Sequence, residues 1–449
     1  MKFSLESSLF ISLCIFAVIS FIFRVAANVF LGVSVLIFLI IAYKNKGVYF
    51  NDDKVPYFKA IGIFAGALFV SALFSGYVGV GLKVWADFFL WRFMPFMIVL
   101  FVFDNKLKVE RILYASLGGF LIDCLIAIYQ GVFVYKLNIA HGRAAGFVGH
   151  PMTLAGWACI LLPVLLIFIF RRDIAGRFYV GLASLFAFGS IALVFNSTRG
   201  AWLALAIVLP LISIPFILKN KKAFMIFTSI ILAIGVTMAG STSFMDRISS
   251  ISDTKSNWSN TSRFIIWETA YDIFKEHPMF GCGLGQFKWE FKNRFAVSKE
   301  MQNEANEYHK YVKNKKANKL SKEQKNISKE KLKQLANTNR KVWEYKALGK
   351  LDHAHNNFMQ MLGENGLVGL FGYVCAFGYI LWSSLKNYLL NQNPYSLMIV
   401  GSTSALLLQG LTEYNFGTGA VMKLYWLVLA CLIVLASHYN KEESSKDAE

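Results

Sequence analysis

The sequence predicts an all-α polytopic membrane protein, with about twelve transmembrane helices and one large, mainly helical external loop. Three observations carry this expectation. Of the 449 residues, 56% are hydrophobic and only 16% charged. Apolar runs of roughly 20 residues recur along almost the whole chain, the length a helix needs to cross a bilayer. A soluble core does not require so many uninterrupted runs, and a spanning chain must satisfy its backbone internally as helix or closed barrel. Third, Lys and Arg are distributed unevenly between the short loops of the two sides.

Twelve spans are expected, at 8–23, 26–43, 58–76, 84–103, 112–133, 152–170, 178–195, 201–218, 223–240, 357–382, 396–412 and 419–437. The first follows Met1-Lys2 and is met at once by Arg24 and a second apolar run. No small-x-small cleavage pattern precedes that second run, so an uncleaved span is expected rather than a signal peptide. The short connection at Arg24-Val25 makes the first two spans a close hairpin.

One set of short loops carries Lys and Arg at 44–54, 106–111, 171–177, 219–222 and 386, joined by Lys441 and Lys446 of the tail, 15 in all. The opposite set carries Arg24, Lys83, Lys136, Arg143 and Arg199, only 5. The positive-inside rule therefore puts the first set and both termini in the cytoplasm. The expected organisation is nine spans in 1–240, an external loop domain at 241–356, three spans in 357–440 and a cytoplasmic tail at 441–449.

The loop divides in two. Asn260 to Arg294 alternates apolar and polar residues at helical spacing. Residues 299–350 hold 15 Lys/Arg against 6 Asp/Glu, with no Pro and no Gly before Gly349, which favours helix. A solvated helical pair is the simple expectation, and a surface drawn to phosphate-bearing lipids the functional one.

The net charge of +19 does not call for nucleic acid, because membrane topology and anionic headgroups account for it. Five of the six cysteines fall in expected spans, only Cys282 lies in the loop, and no CxxC pair exists. Neither a disulfide framework nor a thiolate metal site is expected. No paired halves with Gly/Pro-broken spans are visible, against an inverted-repeat transporter.

Polar residues at the outer face carry the chemistry. Arg199, in Asn196-Ser197-Thr198-Arg199-Gly200, is the one charge in a tight turn between two apolar helices. It is either a snorkelling anchor or a guanidinium whose planar fork matches phosphate oxygens. Arg263, in Asn260-Thr261-Ser262-Arg263, is expected in the first turn of a helix capped by Asn260 or Ser262. There the dipole disfavours a cation but helix N–H groups favour an anionic ligand. The glycine-rich stretch Pro278 to Gly285 does not fit a nucleotide loop and reads as a compact turn that folds the loop back on the membrane.

His353 and His355 close the loop in Asp352-His353-Ala354-His355-Asn356-Asn357. Two residues apart, they point to opposite sides if helical and together if extended. No Cys or carboxylate cluster in the sequence completes a metal site, so neither metal nor cofactor is expected. An imidazole at a membrane-loop junction, with an ordinary pKa of ~6.5, suits general-base work. Glu413, outside the eleventh span, is placed to orient His355 or to mark the water interface. Asp87, Arg92 and Asp123 read equally as an internal ion pair or as catalytic groups. Arg143 and His150, in the loop before the sixth span, are candidate extensions of a phosphate site. Several arginines, a base and a carboxylate on one face suit transfer from a lipid diphosphate to a hydroxyl. An anion transporter is the competing reading.

At these residues the chain resembles the O-antigen ligase and polymerase superfamily of bacterial inner-membrane proteins. The family motif is His, then Asn/Ser/Gln, nine residues and Gly-x-x-Gly. His355-Asn356, the nine residues Asn357 to Asn365, and Gly366-Leu367-Val368-Gly369 fit it throughout. The resemblance covers most of the chain, selects His355 over His353, and matches Arg199 and Arg263 to the family's essential arginines. Glu413 stands where relatives often carry Asp.

What the resemblance implies is metal-independent, inverting glycosyl transfer in the bacterial inner membrane, with the active site periplasmic. The donor is a polysaccharide on undecaprenyl diphosphate and the acceptor a sugar hydroxyl of lipid A–core. His355 is then the base, Glu413 its catalytic partner, and Arg199 and Arg263 the diphosphate ligands; Arg143 joins them as the candidate extension of that site read from the loop before the sixth span. Polymerases and protein O-oligosaccharyltransferases share the motif. The last usually carry a larger periplasmic region near the C-terminus, whereas only a short tail follows Tyr439 here. A ligase is the expectation, a polymerase the runner-up, and a polysaccharide or lipid transporter the reading from another class.

Overall fold

A computed structural model describes residues 4–45, 54–138, 141–171, 176–218, 258–317, 319–348 and 351–446, and among them it is helical without strands. The expected ninth span, 223–240, lies outside the described residues, as does the start of the loop domain.

The membrane part begins with α1 (Leu5–Ile19), α2 (Arg24–Asn45) and α3 (Val55–Leu73). Next come α4 (Val78–Ala86) and α5 (Met94–Val102), joined by a π-helical turn at Asp87–Arg92. Then follow α6 (Lys106–Tyr129), α7 (Pro151–Phe170), α8 (Gly176–Asn196) and α9 (Arg199–Ile217). The loop region holds α10 (Trp258–Glu276), α11 (Phe287–Arg294), α12 (Lys299–Lys316), α13 (Lys322–Lys325) and α14 (Lys329–Leu348). The chain ends in α15 (Asn357–Asn391), α16 (Pro394–Gln409) and α17 (Gly419–Lys446).

Among the described residues nine helical stretches are long and apolar enough to cross a membrane. Two expected spans are shorter as helices: α1 has 15 residues and α16 has 16. Each stops where the backbone must turn, at Ser20 into the hairpin with α2 and at Gly410 into the loop bearing Glu413. The tenth span is longer than expected, running to Asn391.

Helix α7 is the axis of the bundle. Every residue from Thr153 to Phe170 is buried, so it is apolar all round, as a central helix must be. It packs against α8, α9, α16 and α17. Ser402 Oγ donates to the Ile160 carbonyl at 2.6 Å and ties α16 to it. The outer helices turn large apolar residues outward instead, among them Val25, Leu36, Phe371 and Trp382, as lipid-facing surfaces do.

A second, smaller core sits above this bundle: Ile266, Ala270, Ile273, Phe287, Phe291, Leu348 and Ala354. It draws on α10, α11, the end of α14 and the segment leading into α15. The basic helices α12 and α14 pack on each other, the expected helical pair.

The two cores are joined by the glycine-rich turn. Gly366 breaks α15 at φ +61°, ψ −157°. Into that break the chain inserts Pro278–Gly283. Leu367 N–H donates to Pro278 O (2.9 Å), Val368 N–H to Met279 O (3.1 Å), Cys282 N–H to Gly363 O (3.1 Å) and Gly283 N–H to Glu364 O (2.9 Å). A side chain at Gly366 would meet the Met279 carbonyl at 2.5 Å. The far side of the turn rests on α3: Ser71 Oγ donates to Phe280 O at 3.1 Å, and the Phe74 and Phe280 rings stack at 4.3 Å. The turn thus folds the loop region back onto the bundle: Gly366 serves backbone-to-backbone contact, whereas Gly369 faces Leu68 of α3, where a Cβ would come within 3.2 Å.

Candidate active site

The site is assembled where α15 begins. Asn356 caps that helix, its side chain accepting from the N–H groups of Phe358 (2.8 Å) and Met359 (3.1 Å). One residue earlier, His355 holds φ at +47°, a left-handed conformation uncommon outside glycine. The two histidines are therefore on a bent loop and not on a helix, so the helical geometry that would have parted them does not apply. Their rings meet edge to face at 4.2 Å.

Glu413 lies opposite, between α16 and α17. Its Oε2 is 3.2 Å from His355 Nδ1 and its Oε1 4.0 Å from His353 Nε2. Asn357 clamps this second loop. Its N–H donates to Gly410 O (2.7 Å), its side-chain amide donates to Asn415 Oδ1 (2.7 Å) and Tyr373 Oη (3.0 Å), and its Oδ1 accepts from Phe416 N–H (3.3 Å). Arg92 holds the same loop from below, donating to Phe416 O (3.2 Å) and Gly417 O (2.7 Å) while paired with Asp87. Asp87 and Arg92 are thus an ion pair with a positioning task.

The loop carrying the histidines is fixed by a buried polar chain. Ala354 N–H donates to Gln360 Oε1 (2.7 Å), and Gln360 Nε2 donates to Glu364 Oε2 (3.1 Å). Glu364 Oε1 accepts the Phe287 N–H (3.3 Å). Trp267 Nε1 donates to Ala354 O (2.9 Å). Sequence reasoning missed Glu364, although a charge-bearing side chain inside an apolar span is costly and calls for a partner.

The backbone N–H of His355 donates to His353 Nδ1 at 3.2 Å. That nitrogen needs its lone pair, so His353 is neutral with its proton on Nε2. Burial and the charge of His355 push its pKa down to about 4, in the same sense. Glu413 is buried, which alone raises a carboxyl pKa. The hydrogen bond with His355, with the charges of His355 and Arg263, outweighs burial and holds it below its ordinary value. With Glu413 ionised, His355 presents Nδ1–H to it and leaves Nε2 as the basic nitrogen.

His353, His355 and Glu413 also bring one potential ligand atom each within 4.8 Å of one another, a convergence that could hold a metal ion. The sequence did not show it because Glu413 is remote in the chain.

These three residues line a cavity of about 700 Å³. Its other walls include Arg24, Arg143, His150 and Lys423. Arg143 donates to Asn196 O (3.0 Å) and Thr198 Oγ1 (2.6 Å), bracing the turn before Arg199. Arg199 is the first residue of α9 and donates to Asn260 Oδ1 (3.1 Å) on α10. Asn260 and Ser262 lie inside α10, not at its cap, so Arg263 is past the first turn and the dipole argument for it lapses. Arg263 acts on Glu413 electrostatically, and Gly200 approaches Thr412 closely enough that a Cβ would meet its Oγ1 at 1.9 Å. Arg199 and Arg263 thus flank the Glu413 loop but are not among the cavity-lining residues. Asp123 lies apart, accepting the Phe147 N–H at 2.8 Å. Arg24 and Lys423 were overlooked as site residues, though Lys423 is a lone charge in an apolar span.

Residues 182–314 match the family model described as O-antigen ligase. The matched segment contains Arg199 and Arg263 and ends before His355. An uncharacterized protein of Haemophilus influenzae is 28% identical over 232 residues, covering 47% of this chain and 54% of the relative. The chain spans about half the length of the curated relative it matches. The family match supports membership of the O-antigen ligase superfamily, whose members are glycosyltransferase-like ligases and polymerases.

Proposed function

We propose that this chain belongs to the O-antigen ligase superfamily and is an O-antigen ligase of the bacterial inner membrane. It transfers polysaccharide from undecaprenyl diphosphate to a sugar hydroxyl of lipid A–core, on the periplasmic side and without a metal. The observation that carries the reading is the hydrogen bond of His355 Nδ1 to buried Glu413, on the wall of a cavity.

The acceptor oxygen attacks the anomeric carbon of the donor sugar from the face opposite the diphosphate, which inverts that carbon. Its proton passes to His355 Nε2, and the bond to the diphosphate oxygen breaks with the electron pair leaving on that oxygen. Glu413 fixes the tautomer and stabilises the imidazolium that forms, the role of a buried carboxylate behind a histidine base. Arg199 and Arg263, bidentate donors to phosphate, neutralise the charge on the departing diphosphate. Arg143 braces the turn that presents Arg199.

Deleting the gene and resolving lipopolysaccharide on a gel tests this. Loss of every O-antigen band, with lipid-linked polymer accumulating, is the expected result. Core carrying a single repeat would make the protein the superfamily's polymerase. Failure of the purified protein to transfer polymer in a reconstituted assay would remove the enzyme reading altogether.

A further inference from the structure

We propose that the lysine-rich tip of the α12–α14 hairpin docks on anionic lipid headgroups of the membrane in which the bundle sits.

The charge of this hairpin is polarised along its length. From Lys310 to Lys333, the half built around α13, the sequence holds ten lysines, no arginine and two acids, Glu323 and Glu330. The other half, 299–309 and 334–348, holds four Lys/Arg and four Glu, which cancel. All ten tip lysines are exposed, and among the described residues none of them is drawn into an ion pair. The contacts that hold the hairpin together do not use them. Thr338 Oγ1 donates to Glu304 Oε2 at 2.8 Å and Asn314 Nδ2 to Gln324 Oε1 at 3.0 Å, while Ala305, Leu335 and Val342 are buried.

Helix stability does not explain the tip. The lysines that end α12 suit its dipole, but Lys329 and Lys331 open α14, where a cation is disfavoured. Lys329 and Lys333 add a like-charged i,i+4 pair. A face meant only for solvent gains by interleaving acids, as the other half of the hairpin does. Nor do the tip charges serve the histidines. The 18 residues of α12, rising about 1.5 Å each, carry its far end about 27 Å from its start. That is roughly three Debye lengths at physiological salt.

The residue types give the class of partner. Lysine is a compact, hydrated point charge without the planar fork that fixes one phosphate in one geometry. Among the described residues no large apolar side chain is exposed between Trp289 and Trp343. The core of a protein interface calls for aromatics and arginine, and insertion into a bilayer for an apolar face. What suits many separate point charges is a dense layer of phosphates of no fixed arrangement. Membrane-length helices flank the loop region, Arg199–Ile217 before it and Asn357–Asn391 after it, so such a layer is always within reach. Each lysine at an anionic surface is worth about a fivefold gain in partitioning. At its other end α14 enters the second core, where Leu348 packs with Ala354, the residue between the two histidines. Docking at one end of α14 thus constrains the loop region at the other.

The test uses the full-length protein in nanodiscs of phosphatidylcholine, alone or mixed with phosphatidylglycerol, with acetylation of each lysine read by mass spectrometry. In the anionic discs acetylation of the ten tip lysines falls about fivefold or more and recovers in 1 M salt, where the Debye length is ~3 Å. Lys341 and Lys346, on the neutral half, change less than about twofold. Replacing Lys313, Lys315, Lys316 and Lys319 together by Gln removes the protection of the remaining tip lysines, and replacing the same four by Arg keeps it. Equal acetylation of the wild type in the two kinds of disc would overturn the proposal. So would loss of protection in the Arg variant, because charge would then not be what is read. Protection by added polygalacturonate in neutral discs, with none from phosphatidylglycerol, would make the tip a surface for an acidic glycan and overturn the lipid reading.

Discussion

His355 Nδ1 lies 3.2 Å from Glu413 Oε2 across a separation of 58 residues, joining the start of α15 to the turn between α16 and α17. Two loops, each clamped by its own buried network, are held so that one carboxylate meets one imidazole. His355→Ala is expected to cut transfer by about 10²- to 10⁴-fold, the usual worth of a general base, with insertion and gel-filtration behaviour retained. His353→Ala removes a neighbour and not the base, and its loss is expected to be about tenfold or less on the same scale. A reconstituted transfer assay on both variants checks the order, and an unimpaired His355→Ala protein would remove the mechanism.

The pH dependence of stability follows from His353 and Glu413. His353 has its pKa pushed down to about 4, so between there and its unfolded value of ~6.5 the unfolded chain binds more protons. Its contribution is present above that window and is lost as pH falls through it. Glu413, held low, contributes stability above its unfolded value of ~4.3, lost as pH falls through its depressed folded value. The melting temperature should therefore drop as pH goes from about 6.5 to 4, and His353→Gln should flatten that slope. An identical slope in the variant would show that His353 does not titrate this way.

Much of this was legible in the sequence. Apolar runs fix the class because their length is set by the bilayer, and His355-Asn356 stands out by its spacing to Gly366. Asn356 has a local reason to follow the histidine, since it caps α15. The meeting of His355 with Glu413 was legible only as one of two readings of Glu413, because no local rule specifies a contact made through two tertiary clamps. Of the two alternatives for His353 and His355, the helical one does not apply because His355 sits at positive φ on a loop, and the two rings meet. Gly366 and Gly369 carried the spacing of helix-packing residues, yet Gly366 breaks its helix to admit another backbone. Lys423 and Glu364 were readable as charges inside apolar runs, but only the fold says which wall each faces.

Arg92 tests whether the Glu413 loop must be held. Its guanidinium donates to Phe416 O and Gly417 O and is paired with Asp87. Lys cannot reproduce that planar fork. Arg92→Lys is expected to lower kcat about tenfold with little change in either KM, because the carboxylate is displaced and no substrate contact is lost. A change confined to KM would place Arg92 in a binding role instead.

Two glycines of α15 separate a required backbone from a dispensable one. At Gly366 a Cβ would meet the Met279 carbonyl at 2.5 Å, at φ +61°. At Gly378 it would meet nothing within 4 Å. Gly366→Ala is expected to cost about 1–3 kcal/mol in strain alone, and more from the displaced turn. Gly378→Ala should be neutral or stabilising by up to about 1 kcal/mol. Thermal unfolding of the two variants in one detergent makes the comparison, and equal behaviour would mean the Pro278–Gly283 insertion does not hold α15 open.

The His353, His355 and Glu413 cluster makes a prediction about metal ions. Its potential ligand atoms lie within 4.8 Å of one another, and His355 Nδ1 stands 3.2 Å from the carboxylate. Zinc holds its ligands at about 2.0–2.2 Å in a tetrahedron, which spaces them roughly 3.3–3.6 Å apart, so the 4.0 Å between His353 Nε2 and Glu413 needs to close only slightly on an ion. Binding would displace the proton that His355 shares with Glu413 and tie up the imidazole the mechanism uses as base. Transfer is therefore expected to persist in chelator and to be inhibited by added zinc, with His353→Ala relieving the inhibition. Protons should compete with zinc, since a metal-bound imidazole must be neutral. Activity abolished by chelator and restored by zinc would instead make the cluster a metal centre and replace proton abstraction by His355 as the first step.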